Sequence, residues 1–422
     1  MKYLRNPQKR LFHKLAPLTA IVLTSTLAGC GLGSNGQTKA SDSGPINVGF
    51  VQDQTGPTSG YGIPMIQATK LAIQDINDNG GVLGRKLKLD FQDGQSDVSR
   101  YVTVARKFIA HDPRLAVVMG GLTSSSREAV RPLFGAAKIP YWHSNLYEGG
   151  VCDKNFFNVG PTASQAIAPM MKWAADNGKK NIYIVAADYN FGWNSASFTK
   201  KYAAENKLNI ITKPAFFPLS QSDFSAELPK IRASGADTIV SFLVGSAQTN
   251  FYKQWAAAGM NRDTTILSSD FNWGDEQLSL GTAAKGVMSA FPYFPDLDTP
   301  ASQKFVADWK AAGYGARPAP GAETAWTAWH LWANAVEKAG STDRDKVTAA
   351  IEGGGISYEG PAGKVTMDAA THHAILPMRL IEATGQGTDA QVALLAPAKK
   401  PLYEASVCDL VNEPTTNKQF QP

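Results

Sequence analysis

The stretch INVGFVQDQTGPTSGYGIPMIQATKLAIQDIN, residues 46–77, decides the fold class. It opens on an apolar, β-branched run from Ile46 to Val51 and breaks at a loop rich in Gly, Pro and Thr. It then enters a segment where Met65, Ala68, Ala72 and Ile76 recur at helical spacing. A strand feeding an amphipathic helix through a short loop is one βα step, and the step repeats. Leu87 to Gln92 precedes a helical pattern from Tyr101 to Ala110, and Leu115 to Met119 precedes another from Arg127 to Ala137. Such alternation implies a parallel sheet covered on both faces.

The rhythm restarts after Pro161. Asn181 to Ala186, Asn209 to Phe216, Thr238 to Val244 and Thr265 to Leu267 read as strands. The segments Ile167 to Ala175, Ser195 to Glu205, Phe224 to Ala233 and Thr249 to Ala258 read as helices. Two successive α/β units imply two lobes facing each other across a cleft, in keeping with a length beyond what one core usually holds. Further on, Trp326, Trp329 and Trp332 recur at helical spacing and read as a helix packed onto its lobe.

The chain starts with a processing signal. Lys2, Arg5, Lys9, Arg10 and Lys14 precede an uncharged apolar run from Leu15 to Leu27, about half of the roughly 20 residues a membrane helix needs. Residues 1–29 are therefore expected to be a signal peptide, and the Gly-, Ser- and Thr-rich residues 30–45 a flexible tether. Removing the leader takes away five of the 41 Lys plus Arg and none of the 36 Asp plus Glu, so the remaining body is formally neutral. A neutral body has no electrostatic footprint for nucleic acid.

Cysteine use fits export. With Cys30 at the end of the leader, Cys152 and Cys408 remain as a candidate disulfide in an oxidising compartment, with two free buried thiols as the alternative. No metal site or cofactor is expected: there is no CxxC, and the adjacent His372 and His373 read as surface or turn residues.

Ligands of open α/β sheets bind beyond the carboxyl ends of strands. Two such loops are unusually polar, Asp53 to Gly62 and Gly120 to Glu128. In the second, Ser125 and Glu128 have capping-box spacing, so the loop is expected to open a helix whose free N–H groups hold a ligand oxygen near Ser124; plain capping is the alternative. Tyr61, Trp142, Tyr189, Phe191, Trp193 and Trp273 all fall near strand ends, where Tyr189 and Phe191 are the aromatic residues expected to meet a ligand. Hydrolysis would need a nucleophile with a base in reach; Ser124 has only His143 as an unsupported partner, and no Gly-x-Ser-x-Gly elbow occurs. The chain is expected not to be an enzyme.

At these loops the sequence resembles the type I periplasmic binding proteins, the branched-chain amino-acid receptors and in particular the urea- and short-amide-binding lipoproteins. The resemblance rests on Asn79 to Lys86, the Ser-rich loop with Arg127, Tyr147-Glu148-Gly149, Ala187-Asp188-Tyr189, Asp298-Thr299-Pro300 and Gly363 to Asp368 with the twin histidines. Leu27-Ala28-Gly29-Cys30 is similar to a lipobox, which implies a lipidated Cys30 and an exported, membrane-anchored protein. The resemblance implies two Rossmann-like lobes joined by three crossovers with the ligand closed between them: 46–162 with 293–356 as lobe one, 163–292 with 357–410 as lobe two and hinge, and 411–422 as a tail. It also implies capture of a small solute, such as urea or a short amide, for an ABC permease and its ATPase. An amino-acid receptor or a sensory receptor of the same fold are the alternatives.

By position the resemblance implies ligand contacts from Ser124, Ser125, His143 and Asn145 in lobe one, and from Tyr189, Phe191, Ser246 and Asp270 in lobe two. The chain departs from the urea and amide branch at Trp142-His143-Ser144-Asn145-Leu146, where that branch has an aromatic-Pro pattern. Asp270 is expected either to pair with an amino or amidinium group or to be a solvated loop residue.

Overall fold

The computed structural model describes residues 44–111, 114–274, 276–395 and 408–420. Cys30, the leader and most of the tether lie outside them. In the first lobe β1 (Ile46–Gln52) leads into α1 (Ser59–Asp78), followed by β2 (Leu87–Asp93), α2 (Val98–His111), β3 (Val118–Gly120), α3 (Ser124–Ala136), β4 (Tyr141–His143), β5 (Val151–Asp153) and β6 (Phe156–Asn158). The main sheet has the order β2-β1-β3-β4-β6 and is parallel throughout. Val48 and Phe50 of β1 and Met65, Ala68, Ala72 and Ile76 of α1 are buried together, as the spacing of the opening stretch requires. The helix can lie this close to its strand because residue 62 is glycine: an added Cβ would stand 1.9 Å from the Asp53 carbonyl oxygen.

The second lobe comprises α4 (Ala163–Asp176), β7 (Asn181–Ala187), α5 (Asn190–Glu205), β8 (Asn209–Ile210), β9 (Ala215–Phe217), α6 (Leu228–Ser234), β10 (Thr238–Phe242), α7 (Ser246–Ala257), β11 (Thr265–Ser268), α8 (Glu276–Leu280) and β12 (Met288–Phe291). The chain then returns to lobe one as α9 (Pro300–Ala311), α10 (Pro320–Ala339) and α11 (Arg344–Glu352), followed by β13 (Ser357–Gly360), β14 (Gly363–Met367) and β15 (Ala374–Ile375). Trp326, Trp329 and Trp332 are buried on α10, and the Trp329 indole N–H donates to Thr69 Oγ1 of α1 at 3.1 Å. A last crossover brings β16 (Arg379–Ala383) and β17 (Asp389–Leu394) to the second sheet, whose order is β17-β16-β12-β11-β10-β7-β8.

One expected boundary is corrected. Residues 357–375, assigned to lobe two, form a small antiparallel sheet on lobe one: the Trp326 indole N–H donates to Tyr358 Oη at 2.9 Å, and β6 bridges to His373 at Asn158. Only the part from β16 onward belongs to the second sheet. The crossovers among the described residues are therefore 159–162, 292–299 and 376–378.

The twin histidines are also misread from sequence alone. Both are fully buried: His372 stacks on Phe157 at 4.7 Å, and His373 bonds the Thr371 carbonyl through Nδ1 and the Tyr147 hydroxyl through Nε2. Burial lowers the His373 pKa to about 3, so it is a neutral structural residue.

The chain rejoins lobe one at its end. Cys408 is disulfide-bonded to Cys152, and β18 (Asn417–Gln419) pairs antiparallel with β5. Among the described residues no helix is long and apolar enough to cross a membrane.

Candidate functional site

The strand order of the first sheet reverses direction at β1, and ligands of open α/β sheets bind outside the carboxyl ends of strands at such a reversal. β1 lies between β2 and β3, so the loops after β1 and β3 meet there. The turn into α3 is made by Gly120, whose φ of +115° suits glycine and whose added Cβ would stand 2.0 Å from the Val51 carbonyl oxygen. The cap differs from the expected one. Thr123 is the N-cap and its side chain accepts from the Ser126 N–H, whereas Glu128 pairs with Arg127 and Arg131. Ser124 is thus the first residue of the helix.

Behind Ser124 lies a buried ionic network. Its hydroxyl donates to Glu148 Oε2 at 2.5 Å and accepts from Arg127 Nη1 at 3.3 Å, while Arg127 Nη2 pairs with Glu148 Oε1 at 2.7 Å. Arg127 lies over the Tyr147 ring at 4.5 Å. Burial opposes its charge, but Glu148 and Glu128 outweigh that cost and raise its pKa.

Lobe two contributes the loops after β7, β10 and β11. Tyr189 caps α5 and its ring packs 6.0 Å from Phe191, which meets Phe242 edge-on. Asp270 follows β11. Its Oδ1 accepts from Ser268 Oγ at 2.8 Å, whereas Oδ2 has no hydrogen-bond partner among the described residues although the residue is 1% exposed. Burial pushes its pKa well above the usual carboxylate range. The Tyr189 hydroxyl is raised by burial and next by Asp270, so it stays protonated.

These loops line a narrow cavity of about 20 Å3, room for about one water molecule in the closed arrangement. Lobe one lines it with Tyr61, Leu122, Ser124, Asn145 and Leu146; lobe two lines it with Tyr189, Phe191, Val244, Asp270 and Trp273. A wider groove of about 200 Å3 opens to solvent, but its carboxylate, Asp389, is already held by Asn272 and Gln277. In the narrow cavity Asn145 Oδ1 and Asp270 Oδ2 have no hydrogen-bond partner among the described residues.

Of the residues expected from sequence, Ser124, Asn145, Tyr189, Phe191 and Asp270 line this cavity, and three do not. Ser125 donates across the cleft to Asn190 Oδ1 at 3.1 Å. His143 is buried beneath the site, bonded to Asn158 and edge-on to Tyr147; burial and then Arg127 lower its pKa to about 3. Ser246 is exposed at the start of α7 and bonds the Leu219 carbonyl, because the backbone N–H of Gly245 is what turns toward lobe one. Asp270 is buried, which removes the solvated-loop reading. Trp142 belongs to the core, stacked on Phe157 at 5.1 Å.

Tyr61 does more than wall the cavity. Its hydroxyl accepts from the Gly245 N–H at 3.0 Å and donates to Gln248 Oε1 at 3.3 Å, linking α1 to α7. With the Ser125 contact and the bond from Gly321 N–H to the Trp273 carbonyl at 2.9 Å, it holds the lobes closed. Tyr61→Phe is expected to weaken solute binding about two- to tenfold, since each such bond contributes roughly 0.5–1.5 kcal/mol to closure. Calorimetric titration checks this, with small-angle scattering of the unliganded variant expected to show a larger radius of gyration. An unchanged affinity would mean that the bond does not hold the closed state.

Two α/β lobes closed over one shared cavity define a solute clamp. The chain belongs to the periplasmic binding protein family, whose model matches residues 45–389, and it is a binding protein rather than an enzyme. It is 24% identical to Leu/Ile/Val-binding protein homolog 6 of Brucella abortus over 66% of this chain and 72% of that one. It is 25% identical to homolog 1 of Brucella melitensis over 73% and 82%. Among solved structures, a solute-binding protein of an ABC transporter from R. palustris in complex with benzoate superposes with a TM-score of 0.76 at 22% identity, covering 86% of this chain and all of that one. A leucine-binding protein from Thermotoga maritima gives 0.73 at 22%, covering 83% and 99%.

Proposed function

We propose that the protein captures a small nitrogen-bearing solute, such as an amide, urea or an amidine, for an ABC importer, handing it to a permease driven by its ATPase. The observation that carries this reading is Asp270: a carboxylate buried in a cleft, with one oxygen unpartnered, is costly unless something arrives to pair with it. An N–H donor supplies that partner. On the opposite wall Ser124 and Asn145 of lobe one present oxygen atoms to the same space. Closure is then favoured because only the closed state lets both lobes touch the solute. The ABC partnership is supported by the description of the R. palustris neighbour. Anchoring through a lipidated Cys30 is part of the same proposal.

An α-amino acid is the second reading, favoured by the names of the Brucella and Thermotoga relatives; its ammonium group would meet Asp270. A thermal-shift screen with urea, short amides, guanidine-type compounds and amino acids tests both, since a ligand at 100 times its dissociation constant stabilises the folded state by about 2.7 kcal/mol.

With a ligand in hand, Ser124→Ala is expected to cost about 1–3 kcal/mol, or five- to a hundredfold in affinity, and Tyr189→Ala at least as much. Unliganded melting should stay near wild type in Tyr189→Ala, whose side chain borders the cleft. Calorimetric titration of both variants is the measurement, and unchanged affinity in both would place the pocket elsewhere.

A further inference from the structure

We infer that Glu148 fixes the polarity of the lobe-one wall, making Ser124 a hydrogen-bond acceptor only, so that the receptor selects solutes presenting N–H groups there and rejects those presenting a carboxylate. The inference rests on the cleft reading above and narrows it. Glu148 is buried and forms an ion pair with Arg127 at 2.7 Å, and its Oε1 also accepts from Gln419 Nε2 at 2.7 Å. An ionised carboxylate cannot donate. The single proton of Ser124 therefore goes to Glu148 Oε2, at 2.5 Å, and Arg127 Nη1 occupies one of the two lone pairs at 3.3 Å. What is left for a ligand is one lone pair.

Asn145 adds a second acceptor to the same wall. Asn145 commits its Nδ2 to the Leu122 carbonyl at 2.5 Å, leaving Oδ1 unpartnered, and Asp270 leaves Oδ2 unpartnered. Among the described residues no Lys, Arg or His lines the cavity, and the Trp273 Nε1 edge lies against Gly321. With the Tyr61 proton committed to Gln248, the lobe-one wall leaves a carboxylate no side-chain donor among the described residues and leaves N–H groups two acceptors, Ser124 Oγ and Asn145 Oδ1. Gln419 reaches Glu148 from the C-terminal strand β18, which the Cys152–Cys408 bond ties to lobe one, so the tail takes part in setting this polarity.

Matched probes test it: acetamide and acetamidine against acetate, benzoate and L-valine, titrated calorimetrically into the full-length, oxidised protein. The wild type is expected to bind at least one N–H donor ten times more tightly than acetate. In Glu148→Gln, Arg127 and Gln419 both require the side-chain oxygen, so the amide N–H turns to Ser124 and frees the serine proton. The acetamide-to-acetate ratio should then fall at least tenfold. If that variant does not fold, Ser124→Ala should lose acetamide affinity fivefold or more without losing acetate affinity. A wild type that binds a carboxylate probe as tightly as the N–H donors, or binds neither N–H donor, overturns the inference, as does an unchanged ratio in Glu148→Gln. If Asp270→Asn still weakens whichever probe binds, the cleft reading survives that failure. If both Asp270→Asn and Ser124→Ala leave binding untouched, the cleft reading falls as well.

Discussion

Asp270→Asn is expected to lower solute affinity roughly tenfold to more than a hundredfold while raising the stability of the empty protein. The first effect follows from the loss of a charge-assisted hydrogen bond, about 1.5–3 kcal/mol, between a desolvated carboxylate and the solute's N–H. The second follows from burial: Oδ2 has no partner among the described residues, so the empty site carries an uncompensated acid. The sign of the pH dependence is set by the raised pKa. The unfolded chain ionises Asp270 near pH 4, whereas the folded chain keeps its proton to higher pH, so wild-type stability is lost as pH rises through that window. The advantage of Asp270→Asn in melting temperature should therefore be small at pH 4 and grow above it. A cationic solute must expel the proton, so wild-type affinity for acetamidine should rise with pH, and titrations in buffers of different ionisation enthalpy should register proton release. Equal affinity in variant and wild type would remove Asp270 from the site.

Replacing Cys152 and Cys408 with Ala is expected to cost about 2–5 kcal/mol of folding stability, because the bond joins residues 256 apart and restricts the unfolded chain over that whole loop. It should also weaken solute binding, since β18 carries Gln419 to the carboxylate behind Ser124. Urea unfolding of the oxidised protein and of the double variant measures the first effect, and titration measures the second. A variant with wild-type midpoint and affinity would show that β18 docks without the covalent link. Lost stability with intact affinity would separate the tail's structural role from its role at the pocket.

The cleft was only partly legible in the sequence, and the misses have a common cause. Ser124, Asn145, Tyr189, Phe191 and Asp270 sit on loops that a βα pattern places at strand ends, and the structure puts them on the cavity. Ser125, His143 and Ser246 sit on the same loops and turn elsewhere: to Asn190, to Asn158 and to the Leu219 carbonyl. Tyr61 had a visible signal, an aromatic residue just after the first strand. Its partners Gly245 and Gln248 lie more than 180 residues away, however, and no local pattern couples them. Glu148 stood in a quoted motif, but its role appears only when Arg127, Ser124 and Gln419 converge on it.

What the sequence by itself determined was the periodic part of the molecule. The apolar strand runs and helical repeats in residues 46–77 and their successors settle which segments are strands and which helices, because a strand covered on both faces buries nearly every side chain whereas a helix buries one stripe, and that settles an α/β fold in two units. The tertiary structure alone decided which return segment joins which lobe, as with residues 357–375. It alone buried both histidines and Asp270, and it alone chose the side chains that meet across the cleft. Those outcomes depend on contacts between residues far apart in the chain, and the desolvation that shifts a carboxylate or consumes a serine proton exists only once the lobes have closed around it.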